Sequence, residues 1–454
     1  MLSPDGAVFL TEVNFLVGDR SGAKPQWRSL RCCGTMGATM AIATRSDVDQ
    51  LLEAEPEEVG MSSARLGNLS RLVQRYLDEG KLPGAVSLVA RGGKVVHFQT
   101  YGSMDDERGK PMAADTIFRF YSMTKPIASV GLMMLYEEGR FQLEDPVSKF
   151  LPELKNQRVF TGGTSDSLAT REPTREMTVR DVLMHTSGLI ARDSQTTVGE
   201  LYRKAGLRGS DSDFPLAELP QRLSRIPLQV DPGSQWIYGI STDIVGLLCE
   251  VLSGLPFDQY LQQRILDPLG MVDTAFSVPE SKVERFASCY GPTPDGGYVL
   301  VDDAYSSGFA RPRTYFSGAG GLTSTAADYY RFCNMLLRGG ELDSVRILGP
   351  RTLALMTLNH LPGGKDLATV GQLAGETTRE GVGFGLGFAV LLDNAVAQII
   401  GTPGEYYWGG AASTAFFVNP QEELIMVFLT QLRPSSTYPI RRELRATIYS
   451  AITD

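Results

Sequence analysis

The 454-residue sequence has little from which to build a metal site or a disulfide framework. It holds three histidines, His97, His185 and His360, and five cysteines, Cys32, Cys33, Cys249, Cys289 and Cys333. The histidines never form H-E-x-x-H and the cysteines never form C-x-x-C. No metal and no cofactor is therefore expected. An odd, scattered cysteine set argues against a disulfide scaffold and for reduced thiols, hence a cytoplasmic setting, with the periplasm as the alternative. Runs of Lys and Arg are also missing and the net charge is −9, which argues against nucleic acid as a partner. Apolar runs are short, Leu424 to Leu429 being typical, far below the roughly 18 residues of a membrane span. G-x-S-x-G is absent, and with it the nucleophile elbow of an α/β-hydrolase.

What is present is the composition of a globular chain, 43% hydrophobic and 21% charged, long enough for two domains or one composite domain. Residues 1–50 are apolar but interrupted by Glu12 and Asn14, with no basic leader and no small-residue cleavage site. They read as an N-terminal extension of uncertain order, a poor signal peptide. A regular pattern follows. Leu66, Leu69, Leu72, Val73, Tyr76 and Leu77 recur at helical spacing before Gly80. "GAVSLVARGGKVVHFQTYG" predicts two strands joined at Gly92-Gly93. Helical signals concentrate in the middle, above all "STDIVGLLCEVLSG", where Ile244, Val245, Leu247, Leu248, Val251 and Leu252 share a face, Ser241 or Thr242 can cap the start and Gly254 stops it. A further helix is expected at "TAADYYRFCNMLLRGG". Strand-like runs follow at "GFGLGFAVLL", "AVAQIIG", "AASTAFFVN" and "LIMVFLTQL", and "IRRELRATIYSAI" closes the chain as a helix. The order predicts an α+β fold: an antiparallel sheet assembled from 51–155 together with 301–454 and flanked by helices, and a mainly helical lobe from 156–300.

The chemistry centres on "FRFYSMTKPIASVGLMMLYEEG", residues 118–139, where Ser122 and Lys125 stand three apart ahead of an apolar stretch ending at Gly139. S-x-x-K alone is weak; Ser21 and Lys24 also match it, in a polar stretch where chance suffices. Pro126 falls in the first helical turn, where a missing N–H costs little. Ser122 is thus placed near a helix N-terminus, which favours a developing oxyanion, with Lys125 beside it. The other reading is a helix cap beside a solvated lysine. A lysine at its ordinary pKa of about 10.4 is no base, so the chemistry demands that Lys125 be buried or set near positive charge. His185, His97 and His360 read as structural, strand and loop residues respectively.

The segments "DPVSKFLPEL", "TVRDVLMHTSGL", "DPGSQWIYGISTDIVGLLCEVLSG", "ILDPLGMVDTAF" and "GAGGLTSTAADYYRFCNMLLRGG" together resemble the serine β-lactamase-like superfamily. That superfamily includes class C β-lactamases, D-alanyl-D-alanine peptidases and family VIII carboxylesterases. The resemblance runs from about residue 55 to 445 and implies a β-lactamase/transpeptidase-like fold. It carries the family's nucleophile and lysine onto Ser122 and Lys125 and its catalytic tyrosine onto Tyr238. No K-T-G exists; Trp408-Gly409-Gly410-Ala411 stands in its place, similar to the W-G-G of family VIII carboxylesterases. By the resemblance, the N–H groups of Ser122 and Ala411 form an oxyanion hole. Ile240 occupies the position where class C β-lactamases usually carry asparagine, two residues after the tyrosine. Loss of that amide partner and of the K-T-G cation moves the expected substrate from anionic β-lactams towards neutral esters.

The resemblance therefore implies a bacterial serine carboxylesterase of short- to medium-chain esters, with weak β-lactam hydrolysis as a side activity. A β-lactamase, a D-alanyl-D-alanine peptidase and an acyltransferase on the same three residues are the alternatives. The partner is a small-molecule ester. Trp408, Gly409, Gly410, Tyr121 and Tyr315 are the expected substrate contacts. Tyr305, Phe309 and Phe316 join Tyr315 as candidate lining in a stretch that also reads as a self-packed surface loop.

Overall fold

The computed structural model describes residues 52–371 and 380–454, together with the backbone of 14–17 and 26–29. Asn14–Val17 and Gln26–Ser29 pair antiparallel in a unit of their own. The rest of residues 1–50, with Cys32 and Cys33, lies outside the described residues.

The architecture of the larger unit rests on an eight-stranded antiparallel sheet. In chain order its strands are β1 (Gly84–Arg91), β2 (Lys94–Asp105), β3 (Lys110–Pro111), β4 (Val382–Phe384), β5 (Ala389–Leu391), β6 (Tyr406–Gly409), β7 (Ala415–Asn419) and β8 (Leu424–Thr430). Their order across the sheet is β4-β5-β6-β7-β8-β1-β2-β3. The β8–β1 pairing, Leu424 opposite Arg91 through Thr430 opposite Ala85, stitches the two chain ends together at the centre. The β1–β2 hairpin turns at Gly92-Gly93, both at positive φ, as its sequence predicts.

Both faces of the central strands are buried, so the strand period of two distributes apolar side chains to two cores. Phe417, Leu424, Met426 and Phe428 face one, with Leu69 and Val73 of helix α1 (Ser63–Asp78). Phe416, Ile425, Val427 and Leu429 face the other, beneath helix α2 (Thr124–Glu137). Burial of each such side chain stabilises by roughly 1.5–3 kcal/mol. α1 packs on the last helix, α5 (Ile440–Tyr449). α2 is buried all round from Thr124 to Leu135 and packs against α3 (Ser241–Ser253). α4 (Ala326–Leu337), capped by Thr325, covers the inner face of β8. The result is a helix–sheet–helix sandwich, mixed α and β, as expected.

Several local expectations differ. "AVAQIIG" holds a short helix, Asn394–Ala397, capped by the Asp393 carboxylate. Tyr406–Gly409 is a strand that its aromatic residues alone did not predict. Neither Ser241 nor Thr242 caps α3; both are buried inside its first turn after Ile240. Val251 is 48% exposed, on the last turn of α3. The middle of the chain also carries two hairpins, Val159–Thr164 with Ser167–Arg171 and Cys289–Pro292 with Tyr298–Asp302, beside its short helices. Cys249, Cys289 and Cys333 are buried free thiols. Among the described residues no single helix is long and apolar enough to cross a membrane.

Candidate active site

Ser122 sits in a 3-10 turn, Tyr121–Met123, that runs directly into α2. Tyr121 precedes it at φ 44°, an unusual conformation for a bulky residue, which presents the serine on a sharp bend. Ser122 does not cap the helix. Its Oγ instead accepts hydrogen bonds from the Tyr238 hydroxyl at 2.7 Å and from Lys125 Nζ at 3.2 Å. Lys125 Nζ also donates to the Ala319 carbonyl at 2.7 Å. The structure thus brings together three residues separated by up to 116 positions, on α2 and on the turn before α3.

Burial pushes the Lys125 ammonium below its ordinary value; interaction with Tyr238 opposes this and the charge of Arg192 adds to it. The requirement that the lysine be stripped of water is therefore met by position. Tyr238 lies in an aromatic box. Its ring stacks on Trp236 at 5.8 Å and meets His185 at 4.9 Å and Trp408 at 5.4 Å, with Phe384 closing the box behind Trp408. His185 is neutral, its pKa pushed well down by burial and by Lys125, and it packs as an aromatic rather than as a base.

Ala319 belongs to a segment fixed by one buried carboxylate. Asp243, on α3, accepts from Ser317 Oγ at 2.6 Å, from the Ala319 N–H at 3.0 Å and from the Tyr315 hydroxyl at 3.1 Å. Arg192 pairs with it and balances its charge. The sequence carried a signal for Asp243, a carboxylate in the first turn of a largely apolar helix, but none for Ala319, whose contribution is a carbonyl. Tyr315 corrects an expectation: at 2% exposure, with its hydroxyl on Asp243, it has no face to offer a substrate. Trp408 is 6% exposed and backs Tyr238 rather than standing open. The other expected lining residues also pack on protein. Phe309 lies against Tyr121 and Phe316 against Phe276, while the exposed Tyr305 stacks under Arg108. Tyr121 packs on Phe309, takes a hydrogen bond from Arg433, and its hydroxyl is pushed up to about 12 by burial.

The opposite side of Ser122 is backbone. β6 ends at Gly409, and Gly410 lies against the Phe120 carbonyl, where a Cβ would overlap that oxygen and the Thr414 hydroxyl. The next N–H, that of Ala411, has no protein acceptor among the described residues. The arrangement sets two proton-carrying groups on Ser122 Oγ and leaves, one residue after Gly410, a backbone N–H without an acceptor among the described residues.

The family model named Beta-lactamase matches residues 69–449. Protein Rv1367c of Mycobacterium tuberculosis (strain ATCC 25618 / H37Rv) is 32% identical over 80% of this chain and 89% of its own length. Esterase EstB of Burkholderia gladioli is 32% identical over 87% of this chain and 98% of its own. The solved structure of EstCE1, described as a hydrolase with promiscuous acyltransferase activity, is 28% identical with a TM-score of 0.73 and covers 85% of this chain and 99% of that one. With the fold, the serine–lysine–tyrosine cluster and these matches in agreement, the chain belongs to the β-lactamase family and is a serine hydrolase allied to its family VIII esterases.

Proposed function

We propose that this hydrolase is a carboxylesterase that cleaves short- to medium-chain esters through an acyl-enzyme on Ser122. The observation that carries this reading is the pair of hydrogen bonds on Ser122 Oγ, from Tyr238 and from a desolvated Lys125. The Lys125–Tyr238 pair takes the serine proton as Oγ attacks the ester carbonyl, and the two act as one coupled unit. The N–H groups of Ser122 and Ala411 hold the oxyanion. Collapse breaks the carbonyl–oxygen bond to the alcohol, which leaves with a proton from Tyr238. Water then loses a proton to the same pair, attacks the acyl carbonyl and releases the acid, and Ser122 regains its proton. The missing K-T-G lysine and Y-x-N asparagine support ester over β-lactam selectivity. A β-lactam would acylate the same serine slowly. Esterase EstB is an esterase by name, in line with this reading.

A second reading, transfer of the acyl group to an alcohol in place of water, is favoured by the description of EstCE1. It needs no further residue. Hydrolysis of p-nitrophenyl butyrate by wild type and Ser122→Ala, with folding matched by circular dichroism, tests the first reading; turnover that disappears in the variant is expected. Equal activity in the two proteins removes Ser122 from the chemistry. Nitrocefin turnover well above ester turnover makes the protein a β-lactamase instead. Added alcohol that diverts most of the acyl group to a new ester selects the transferase.

A further inference from the structure

The W-G-G segment is held from a residue that faces away from the catalytic cluster. Arg441 lies on α5, in the layer on the outer face of the sheet, whereas Ser122 and Tyr238 lie on the inner face. One guanidinium nitrogen, Nη2, donates to the Gly410 carbonyl at 2.7 Å and to the Thr414 carbonyl at 2.8 Å. Those carbonyls stand at the two ends of the turn that contains Ala411. Inside the turn, the Gly410 N–H closes onto the Thr414 carbonyl at 2.9 Å. Its far side is tied to the end of β8: Ser413 Oγ donates to the Leu432 carbonyl at 2.8 Å, and the Leu432 N–H donates to Ala412 at 3.2 Å. Among the described residues no comparable tie falls on Ala411 itself.

We propose that Arg441 is a positioning residue that sets the Ala411 N–H for oxyanion binding by fixing both ends of this turn through the sheet. The inference rests on the proposed role of Ala411. It also gives each glycine of W-G-G its own reason. A Cβ on Gly409 would come within 2.6 Å of the Arg441 guanidinium, so this glycine clears the outer face for the arginine. A Cβ on Gly410 would strike the Phe120 carbonyl, so this one clears the inner face for the nucleophile turn. The two glycines let one backbone be gripped from behind and pressed against Ser122 in front. An oxyanion donor works only when its direction is fixed before charge develops. Displacement of a catalytic group by about 1 Å can cost about 100-fold in rate.

A plain helix-to-sheet tether would make the same two hydrogen bonds, so the test must read the oxyanion. It compares wild type, Arg441→Ala, Arg441→Lys and, as control, Arg442→Ala, whose side chain donates to Gln398 instead. Three quantities are measured at matched folding: kcat and KM for p-nitrophenyl butyrate, the inhibition constant of butylboronic acid, whose Ser122 adduct mimics the tetrahedral species, and the rate of Ser122 labelling by a fluorophosphonate. Arg441→Ala is expected to lower kcat about 10- to 100-fold, to leave KM within about twofold, and to weaken boronate binding and slow labelling by a similar factor. A cavity of about 50 Å³ opens beside Arg441, lined also by Tyr407 and Met426, and removal of the arginine side chain would enlarge it enough to admit a small cation to the vacated position. Added guanidinium at low millimolar concentration should therefore restore part of the lost rate to Arg441→Ala and none to Ser122→Ala.

Arg441→Lys, with donors but no fork, should fall between wild type and Arg441→Ala, and it decides the matter if the alanine variant does not fold. Boronate binding and labelling within about twofold of wild type in both variants overturn the proposal, as does a kcat loss with no change in boronate affinity and no rescue. If wild type hydrolyses no ester, the esterase reading fails on its own, while labelling and boronate binding still report whether Arg441 sets the turn.

Discussion

The two sides of Ser122 are built on different principles. On the proton side, Lys125, Tyr238 and Ala319 are held by burial: an aromatic box, a desolvated amine and a carboxylate at Asp243 that is itself out of water. On the side proposed for the oxyanion, the group that would meet substrate is backbone. A strand end, two glycines and a turn braced by Arg441 and by Leu432 surround the Ala411 N–H. One side depends on what solvent cannot reach, the other on where the backbone cannot move. Solvent-exclusion and shape should therefore respond to different perturbations, pH on the first side and added volume on the second.

The largest effect should fall on the proton side. Lys125→Met keeps the volume and removes the amine; a loss of kcat/KM towards about 10⁴-fold is expected, the upper end for a positioned acid–base group. A loss under tenfold would hand the proton to Tyr238 alone. The wild-type pH profile sharpens this point. If the neutral amine is the active form, as proposed, activity is gained as pH rises through the folded pKa of Lys125. Burial lowers the lysine, so the midpoint of the rising limb should lie below the ordinary 10.5. A limb at the ordinary value, or none below it, would show that burial does not tune this side.

Next in size is Gly410→Ala. Its new methyl meets the Phe120 carbonyl and Thr414, so the turn must shift and the Ala411 donor with it. A kcat loss of about 10²–10³-fold with an unchanged pH profile is expected, the cost of one oxyanion donor. A shifted profile with little rate loss would break the division between the two sides. Ser317→Ala should act more mildly, by removing the 2.6 Å bond to Asp243 behind Ala319. Thermal or urea unfolding should report about 2 kcal/mol lost, the range for a hydrogen bond to a charged group. Val251→Ser, on the last turn of α3, should change stability by no more than about 0.5 kcal/mol, since its side chain is half exposed. A larger loss would mean that this turn is covered in solution.

What was legible locally was what local chemistry encodes. The period of Leu66 to Tyr76 and the Gly92-Gly93 turn predict α1 and the β1–β2 hairpin because amphipathic spacing and positive φ are short-range demands. Ser122, Pro126 and Lys125 announce a helix start with a serine beside an amine for the same reason. The family resemblance, more than any spacing, singled out Tyr238 among seventeen tyrosines and Ala411 after Trp408-Gly409-Gly410. Where side chains meet through space, the sequence was silent or misleading. Tyr315 reads as pocket wall and is a buried partner of Asp243; "AVAQIIG" reads as a strand and is capped into a helix by Asp393.

By itself, then, the sequence determined the regular elements with a clear local period and placed a serine next to an amine at a helix start, because hydrophobic period, turn residues and close spacing are properties of neighbouring residues. Tertiary structure alone decided that Lys125 loses its water, that the Ala319 carbonyl receives it, and that Arg441 reaches the turn at Gly410 from the outer face of the sheet. Each of these depends on burial and on contacts between segments far apart in the chain, and no local pattern records them.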